Sequence, residues 1–153
     1  MIKVKVGDRA PDFTLLSQTG EEVTLSKFFG NKSIVLYFYP TDKGWTCKRE
    51  ACGFRDNYET FKELGAEVIG ISSDGVESHK SFAARYNLPF ILLSDMDNKV
   101  RRLYGVPSTL GLIPGRVTYV IDKAGIIRLM FLRLLQPKKH IDQTLGTLRK
   151  LQN

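Results

Sequence analysis

Apolar residues run unbroken from Ile34 to Tyr39, following Ser33. A continuous apolar run of this length predicts a strand buried on both faces, here Ser33 to Tyr39. Ala66 to Ser72 reads the same way, and Phe90 to Leu93, entered through Pro89, as a shorter third strand. Between these runs the period changes. Phe54, Tyr58 and Phe61 recur at helical spacing and predict one long helix, Thr46 to Leu64, ended by Gly65. Val76 to Tyr86 predicts a second helix, with Phe82 and Tyr86 a turn apart, and Asn98 to Tyr104 a short third. Asp12 to Leu16 and Glu22 to Leu25 predict a hairpin turning at Gln18-Thr19-Gly20, followed by a short helical turn capped by Ser26 and ending at Gly30. Arg116 to Asp122 and Gly125 to Leu132 predict a second hairpin. Pro137 then opens a terminal helix, with Ile141, Leu145 and Leu148 on one face. Gly105 to Gly115, interrupted by Pro107, Gly111 and Pro114, predicts a loop without regular structure. Strands alternating with helices give an α/β class with a central sheet, and 153 residues give a single domain, 1–153.

Composition narrows the picture modestly. No apolar run approaches the length of a membrane span, and Met1 to Asp8 lacks the apolar core of a signal peptide. The net charge of +7 admits an acidic partner or nucleic acid. The cations are scattered, however, in small clusters such as Arg101-Arg102 and Lys138-Lys139, and no zinc-finger or aromatic RNA-binding signature accompanies them. A solvated basic surface with no specific nucleic acid is the expectation. His79 and His140 are read as surface residues, His79 with a capping role as the alternative. The apolar stretch Met130 to Leu135 fits either a buried strand end or an exposed interaction patch.

The candidate chemistry lies between the first buried strand and the long helix. Pro40 ends the apolar run, Thr41 to Thr46 form a polar loop, and Cys47 and Cys52, the two cysteines of the chain, follow. In α/β sheets functional groups collect beyond the carboxyl ends of such strands. With Thr46 as N-cap, Cys47 falls in the first helical turn, where unpaired N–H groups, the helix dipole and the adjacent Lys48 and Arg49 favour a thiolate. Cys52 lies further along. Five helical residues advance about 7.5 Å and leave the two side chains about 140° apart, whereas a disulfide needs facing side chains and Cα atoms within roughly 7 Å. A Cys47–Cys52 bond therefore requires local unwinding, which Gly53 eases. The same spacing also fits two buried structural thiols. Metal binding is not expected, because two remote histidines and this cysteine spacing do not make a zinc site. The spacing is also not the Cys-x-x-Cys of thioredoxin-type motifs, although Trp45 lies close by.

Several segments in order resemble a peroxiredoxin of the bacterioferritin-comigratory-protein or PrxQ subfamily. They are Gly7 to Leu15, Tyr37-Phe38-Tyr39-Pro40, Cys47 to Asp56, Gly65 to Ser72, Leu92 to Asp95 and Pro114 to Asp122. The resemblance implies a thioredoxin-like fold, a mixed sheet flanked by helices, and reduction of hydroperoxides. It implies a peroxidatic role for Cys47, a resolving role for Cys52, and shielding of the site by Pro40. It further implies peroxide orientation and thiolate stabilisation by Arg116, and a companion acidic residue at Glu50. No cofactor is implied. The implied partner is thioredoxin or a similar dithiol reductant, and the implied state a monomer.

One position departs from the subfamily pattern Pro-x-x-x-Thr-x-x-Cys. Gly44 stands where the pattern has a threonine whose hydroxyl bonds the peroxide, and Gly44-Trp45-Thr46 replaces Thr-Pro-Gly. Thr46 or Thr41 is the available substitute for the hydroxyl. The apolar Leu110, Leu112 and Ile113 are expected to pack over the site or to meet a partner. Low cysteine use fits a reducing compartment such as the cytoplasm, and a plastid form from which a transit peptide has been removed stays open. Two other functions also stay open. One is a general thiol–disulfide oxidoreductase indifferent to peroxide; the other is a non-catalytic binding protein acting through the basic surface.

Overall fold

The computed structural model describes residues 4–109, 113–133 and 135–152. Strands β1 (Thr14–Ser17), β2 (Glu22–Thr24), β3 (Ser33–Phe38), β4 (Ala66–Ser72), β5 (Ile91–Ser94), β8 (Val117–Ile121) and β9 (Ile127–Leu132) form one sheet in the order β2-β1-β5-β4-β3-β8-β9. β3, β4 and β5 run parallel at its centre, and antiparallel strands flank them on both sides. The helices are α1 (Trp45–Asp56), α2 (Tyr58–Glu63), α3 (Val76–Tyr86), α4 (Lys99–Tyr104) and α5 (Pro137–Leu151). This is the mixed sheet flanked by helices that the resemblance implies, and β4 and α3 have the bounds predicted from the sequence.

Alternation along β3 explains why the strand reads as continuously apolar. Ile34, Leu36 and Phe38 enter one core with Tyr104, Val117, Tyr119 and Ile127. Val35, Tyr37 and Tyr39 enter the other, under α1, α2, α3 and α5, with Phe54, Phe61, Phe82 and Leu145. Both faces are dry, so neither parity of residue can be polar.

Four predicted elements are corrected. The expected helix 46–64 is two helices divided at Asn57, whose Nδ2 donates to the Gly53 carbonyl at 2.8 Å and competes with the helical ladder. Its N-cap is Gly44, not Thr46, so the helix starts at Trp45 with no side-chain cap. The turn after β2 is a 3-10 turn, Leu25–Phe28, in which Ser26 is interior; its N–H is taken by Asp12 Oδ1 at 2.9 Å. The 105–115 loop contains a short antiparallel ribbon, β6 (Ser108–Thr109) with β7 (Ile113–Pro114). Leu110 and Leu112 lie outside the described residues, and the side chain of Ile113 is likewise not described, so the packing expected of them is not addressed. At the end of β9, Leu132 and then Leu135 are exposed, so this stretch is not a buried strand end. Among the described residues no helix is long and apolar enough to cross a membrane.

Candidate active site

The sheet register builds the site. Phe38 at the end of β3 pairs with Val117 at the start of β8. Arg116, one residue before β8, therefore lies beside the carboxyl end of β3, where the chain turns through Pro40 into the loop that starts α1. Along α1 the residues Cys47, Glu50, Ala51 and Phe54 share the buried face. Cys47 and Glu50, three apart, both point at Arg116. Arg116 Nη2 donates to Cys47 Sγ at 3.0 Å across 69 residues of sequence, and Nη1 pairs with Glu50 Oε1. All three are essentially buried: Cys47 and Arg116 are 2% exposed and Glu50 is 0% exposed.

A second buried arginine holds the frame. Arg101 Nη2 donates to the Tyr39 carbonyl at 3.0 Å and Nη1 to the Gly115 carbonyl at 2.8 Å. One side chain thus ties the end of β3 to the entry of β8. Its backbone N–H, with that of Val100, is capped by Asp95. The sequence reading assigned Arg101 to a solvated cluster; burial between two strand ends required the register to see.

The electrostatics correct one expectation. Burial pushes the Cys47 thiol above its ordinary value; Arg116 and the backbone N–H of Thr41 pull it down, and Glu50 pushes it up. Lys48 and Arg49 are exposed and lie over the rings of Tyr86 and Trp45. The side chain bonded to the sulfur is Arg116, not a neighbouring cation in sequence. Burial likewise pushes Glu50 up to about 7 against the pull of Arg116. A protonated Glu50 removes a negative charge from beside the sulfur and leaves Arg116 to the thiolate.

An unfolded glutamate titrates near 4.5. The folded protein holds that proton more tightly, so between about pH 4.5 and 7 this group makes stability fall as pH rises. Glu50→Gln cannot ionise and is expected to gain about 3 kcal/mol relative to the parent across that interval, by urea unfolding at its two ends. A flat difference would contradict a proton held by buried Glu50.

Both histidines are buried, against the sequence reading. His140 Nε2 donates to the Arg133 carbonyl at 2.7 Å and Nδ1 accepts from Thr118 Oγ1 at 2.7 Å, behind Glu50. Burial, together with Arg116 and Arg133, lowers its pKa to about 4, so the ring is neutral at neutral pH. His79 bonds Asp42 and the Leu93 carbonyl. The signal was present in the α5 pattern, because His140 joins Ile141, Thr144, Leu145 and Leu148 in one buried stripe.

Of the other sequence candidates, Gly44 is at the sulfur: a Cβ there would lie 3.2 Å from Cys47 Sγ. Pro40 is half-buried at the mouth of the loop. Cys52 is not beside Cys47. With Trp45, Thr46, Arg49 and Gly53 it lines a separate groove of about 840 Å³ against the start of α5. Thr46 therefore belongs to the Cys52 side rather than the peroxide side. Both cysteines are free thiols in one continuous helix, which Gly53 seats against Ile141 of α5. Asp42, Asp74 and His79 converge within 4.8 Å, a grouping not anticipated from the sequence, but their atoms already hydrogen-bond one another's neighbours.

Residues 6–130 match the AhpC/TSA family. The chain is 56% identical over 150 residues to a chloroplastic peroxiredoxin Q of Sedum lineare, covering 97% of this chain and 80% of that protein. It is 55% identical over 148 residues to the chloroplastic peroxiredoxin Q of Arabidopsis thaliana, covering 96% and 68%. In structure it is similar to the peroxidoxin BcpB of Mycobacterium tuberculosis, at TM-score 0.89 and 35% identity over 97% of this chain and 98% of that one. A PrxQ variant of Xylella fastidiosa gives TM-score 0.90 at 26% identity, with 98% of each chain covered. With a buried cysteine bonded to an arginine at the end of a thioredoxin-like sheet, this chain belongs to the AhpC/TSA family as a peroxiredoxin of the Q type, a thiol-dependent peroxidase.

Proposed function

We propose that Cys47 is the thiol that attacks peroxide and Cys52 the thiol that resolves it. The observation that carries this reading is the bond from Arg116 Nη2 to Cys47 Sγ, a permanently charged donor beside the sulfur that can also stabilise charge developing on an attacked oxygen. The Cys47 thiolate attacks the outer peroxide oxygen. An S–O bond forms, the O–O bond breaks, and the departing hydroxide or alkoxide takes a proton. Cys47 is left as a sulfenic acid. The first turns of α1 then unwind. The Cys52 sulfur attacks the sulfenic sulfur, an S–S bond forms, and water leaves. A dithiol reductant such as thioredoxin returns both thiols by exchange and itself becomes a disulfide. Glu50 holds Arg116, and Pro40 shields the sulfur. The chain acts as a monomer, as the subfamily resemblance implies. The chloroplastic names of its relatives favour a plastid over the cytoplasm.

Resolution has a clear test. One equivalent of hydrogen peroxide added to reduced protein is expected to give a monomer lighter by two hydrogens, with Cys47 and Cys52 in one bridged peptide. A disulfide-linked dimer would rule the resolving step out.

Gly44 lacks the hydroxyl of the subfamily pattern, so the enzyme is expected to be slower than that pattern. A hydroxyl bonded to a charged group contributes roughly 1.5–3 kcal/mol, so Gly44→Thr is expected to raise the peroxide rate constant about ten- to hundredfold. The added Cβ would lie 3.2 Å from the sulfur, so it needs a shift of a few tenths of an ångström. At the N-cap its hydroxyl also reaches the free N–H groups of the first turn. An unchanged or lower rate constant counts against this account of the loop.

A further inference from the structure

The loop between Pro40 and Cys47 has neither the threonine nor the proline that its pattern calls for, and Gly44 adds freedom at the helix start. Yet this loop lies against the Cys47 sulfur: a Cβ on Gly44 would sit 3.2 Å from Sγ and 3.5 Å from Thr41 Cγ2, and the Thr41 backbone helps hold the thiol's pKa down. Something else must fix it, and the structure shows what does. Asp42 Oδ2 pairs with His79 Nδ1 at 2.7 Å and accepts from Ser78 Oγ at 2.8 Å; Asp42 Oδ1 accepts from the Tyr39 hydroxyl at 2.6 Å. His79 Nε2 faces the Leu93 carbonyl at 2.9 Å. The ring is therefore held at both nitrogens, by Asp42 on one side and the Leu93 carbonyl on the other. On the other side, Asp74 Oδ2 takes the Asp42 N–H at 2.9 Å and Oδ1 takes the Thr41 hydroxyl at 3.4 Å. The loop is thereby fastened to α3, to β5 and to the turn after β4.

We propose that His79, Asp42 and Asp74 are positioning residues for peroxide reduction: a clamp that holds residues 40–44 in place against the Cys47 sulfur. None of the three contacts Cys47 in the hydrogen bonds that define the site. They act through the loop backbone, replacing the stiffness that a proline at position 45 would supply. Side-chain hydrogen bonds shielded from water suit this task because they are directional and costly to leave unmade. The other groups that act on the sulfur belong to different elements: Arg116 before β8, Glu50 on α1, and at longer range Arg101 on α4 and Tyr37 on β3. Loosening the clamp should leave these in place and remove the Thr41 contribution alone.

The proposal rests on Cys47 as the reactive thiol, and its test separates the two claims. In a Cys52→Ser background, the rate of Cys47 alkylation by iodoacetamide is followed against pH for the parent, His79→Gln, Asp42→Ala and Asp42→Asn. Alkylation reads the sulfur without any peroxide chemistry. His79→Gln cannot bridge Asp42 and Leu93 together, and Asp42→Ala removes three acceptor contacts. Both are expected to move the half-reaction pH up by about one unit, a tenfold loss of thiolate near neutrality, with a matching fall of about tenfold in peroxide rate. Asp42→Asn keeps the side chain's size and an acceptor, and is expected to recover part of the shift. Ile127→Ala, a cavity in the opposite core, controls for lost stability and should leave the midpoint where it is. Should His79→Gln fail to fold, the two Asp42 variants decide the matter. Folded variants with unmoved midpoints overturn the clamp, whatever the peroxide rate of the parent. A moved midpoint in a protein that ignores peroxide would keep the clamp and overturn the peroxidase assignment of Cys47.

Discussion

Arg116→Met is expected to slow the reaction of Cys47 with hydrogen peroxide by about two to three orders of magnitude, the usual consequence of removing a donor aimed at developing charge. The guanidinium serves two buried side chains with separate nitrogens, Nη2 to the sulfur and Nη1 to Glu50. Methionine fills much of the volume and supplies neither bond. Two further results should accompany the loss. The Cys47 thiol, already pushed up by burial, should rise further, because Arg116 is the largest influence holding it down. Glu50 should also titrate higher, for the same reason. Arg116→Lys keeps the charge and loses the planar fork, so it should fall between the two. A loss smaller than about tenfold for the methionine variant would mean that the sulfur does not depend on this contact.

The second large effect concerns stability. Gly115→Ala should cost about 3 kcal/mol, as a clash in a place with no room to relax. An added Cβ would lie 2.2 Å from the Pro107 carbonyl oxygen. That oxygen accepts the Gly115 N–H at 2.8 Å, and the Gly115 carbonyl is held by Arg101 at 2.8 Å. The clash is with backbone, and the backbone is pinned from both sides. Since Gly115 precedes Arg116, the surviving folded fraction should also react more slowly with peroxide. Urea unfolding checks the first effect and rapid mixing the second. A variant as stable as the parent would show that the 107–115 segment yields more easily than its hydrogen bonds indicate.

What the residues revealed in advance, and what they hid, follows from the range of each interaction. Val76 to Tyr86 and Ala66 to Ser72 could be bounded from the chain because their patterns are local and both faces of β4 are dry. Cys47 could be placed at a helix start from its neighbours, and the N-cap falls two residues earlier, at the extended Gly44 in place of Thr46. Arg116 could not be placed from spacing. Its position depends on Phe38 pairing with Val117, and only the family pattern pointed to it. The histidines were misjudged because lysine and serine surround them in sequence, as in Ser78-His79-Lys80 and Lys138-Lys139-His140. Helical periodicity, rather than immediate neighbours, tells which face such a residue occupies. The thiol illustrates the same point chemically. Lys48 and Arg49 are adjacent in sequence but turn to solvent and to aromatic rings, while the charge at the sulfur arrives from 69 residues away.

The central claim is that Cys47 meets peroxide directly and that α1 opens afterwards to let Cys52 reach it. Trp45, the single tryptophan, begins this helix with 68% of its surface exposed and Arg49 stacked on its ring at 4.9 Å, so its emission reports the opening. The decisive measurement is stopped-flow fluorescence of the reduced protein mixed with hydrogen peroxide, beside Cys47→Ser and Cys52→Ser. The account predicts two phases in the parent: a first that scales with peroxide concentration and a second that does not. Cys52→Ser should retain only the first, and Cys47→Ser neither. Peroxide consumption by Cys47→Ser at the parent's rate, or a Cys47 no more reactive than free cysteine, would contradict it.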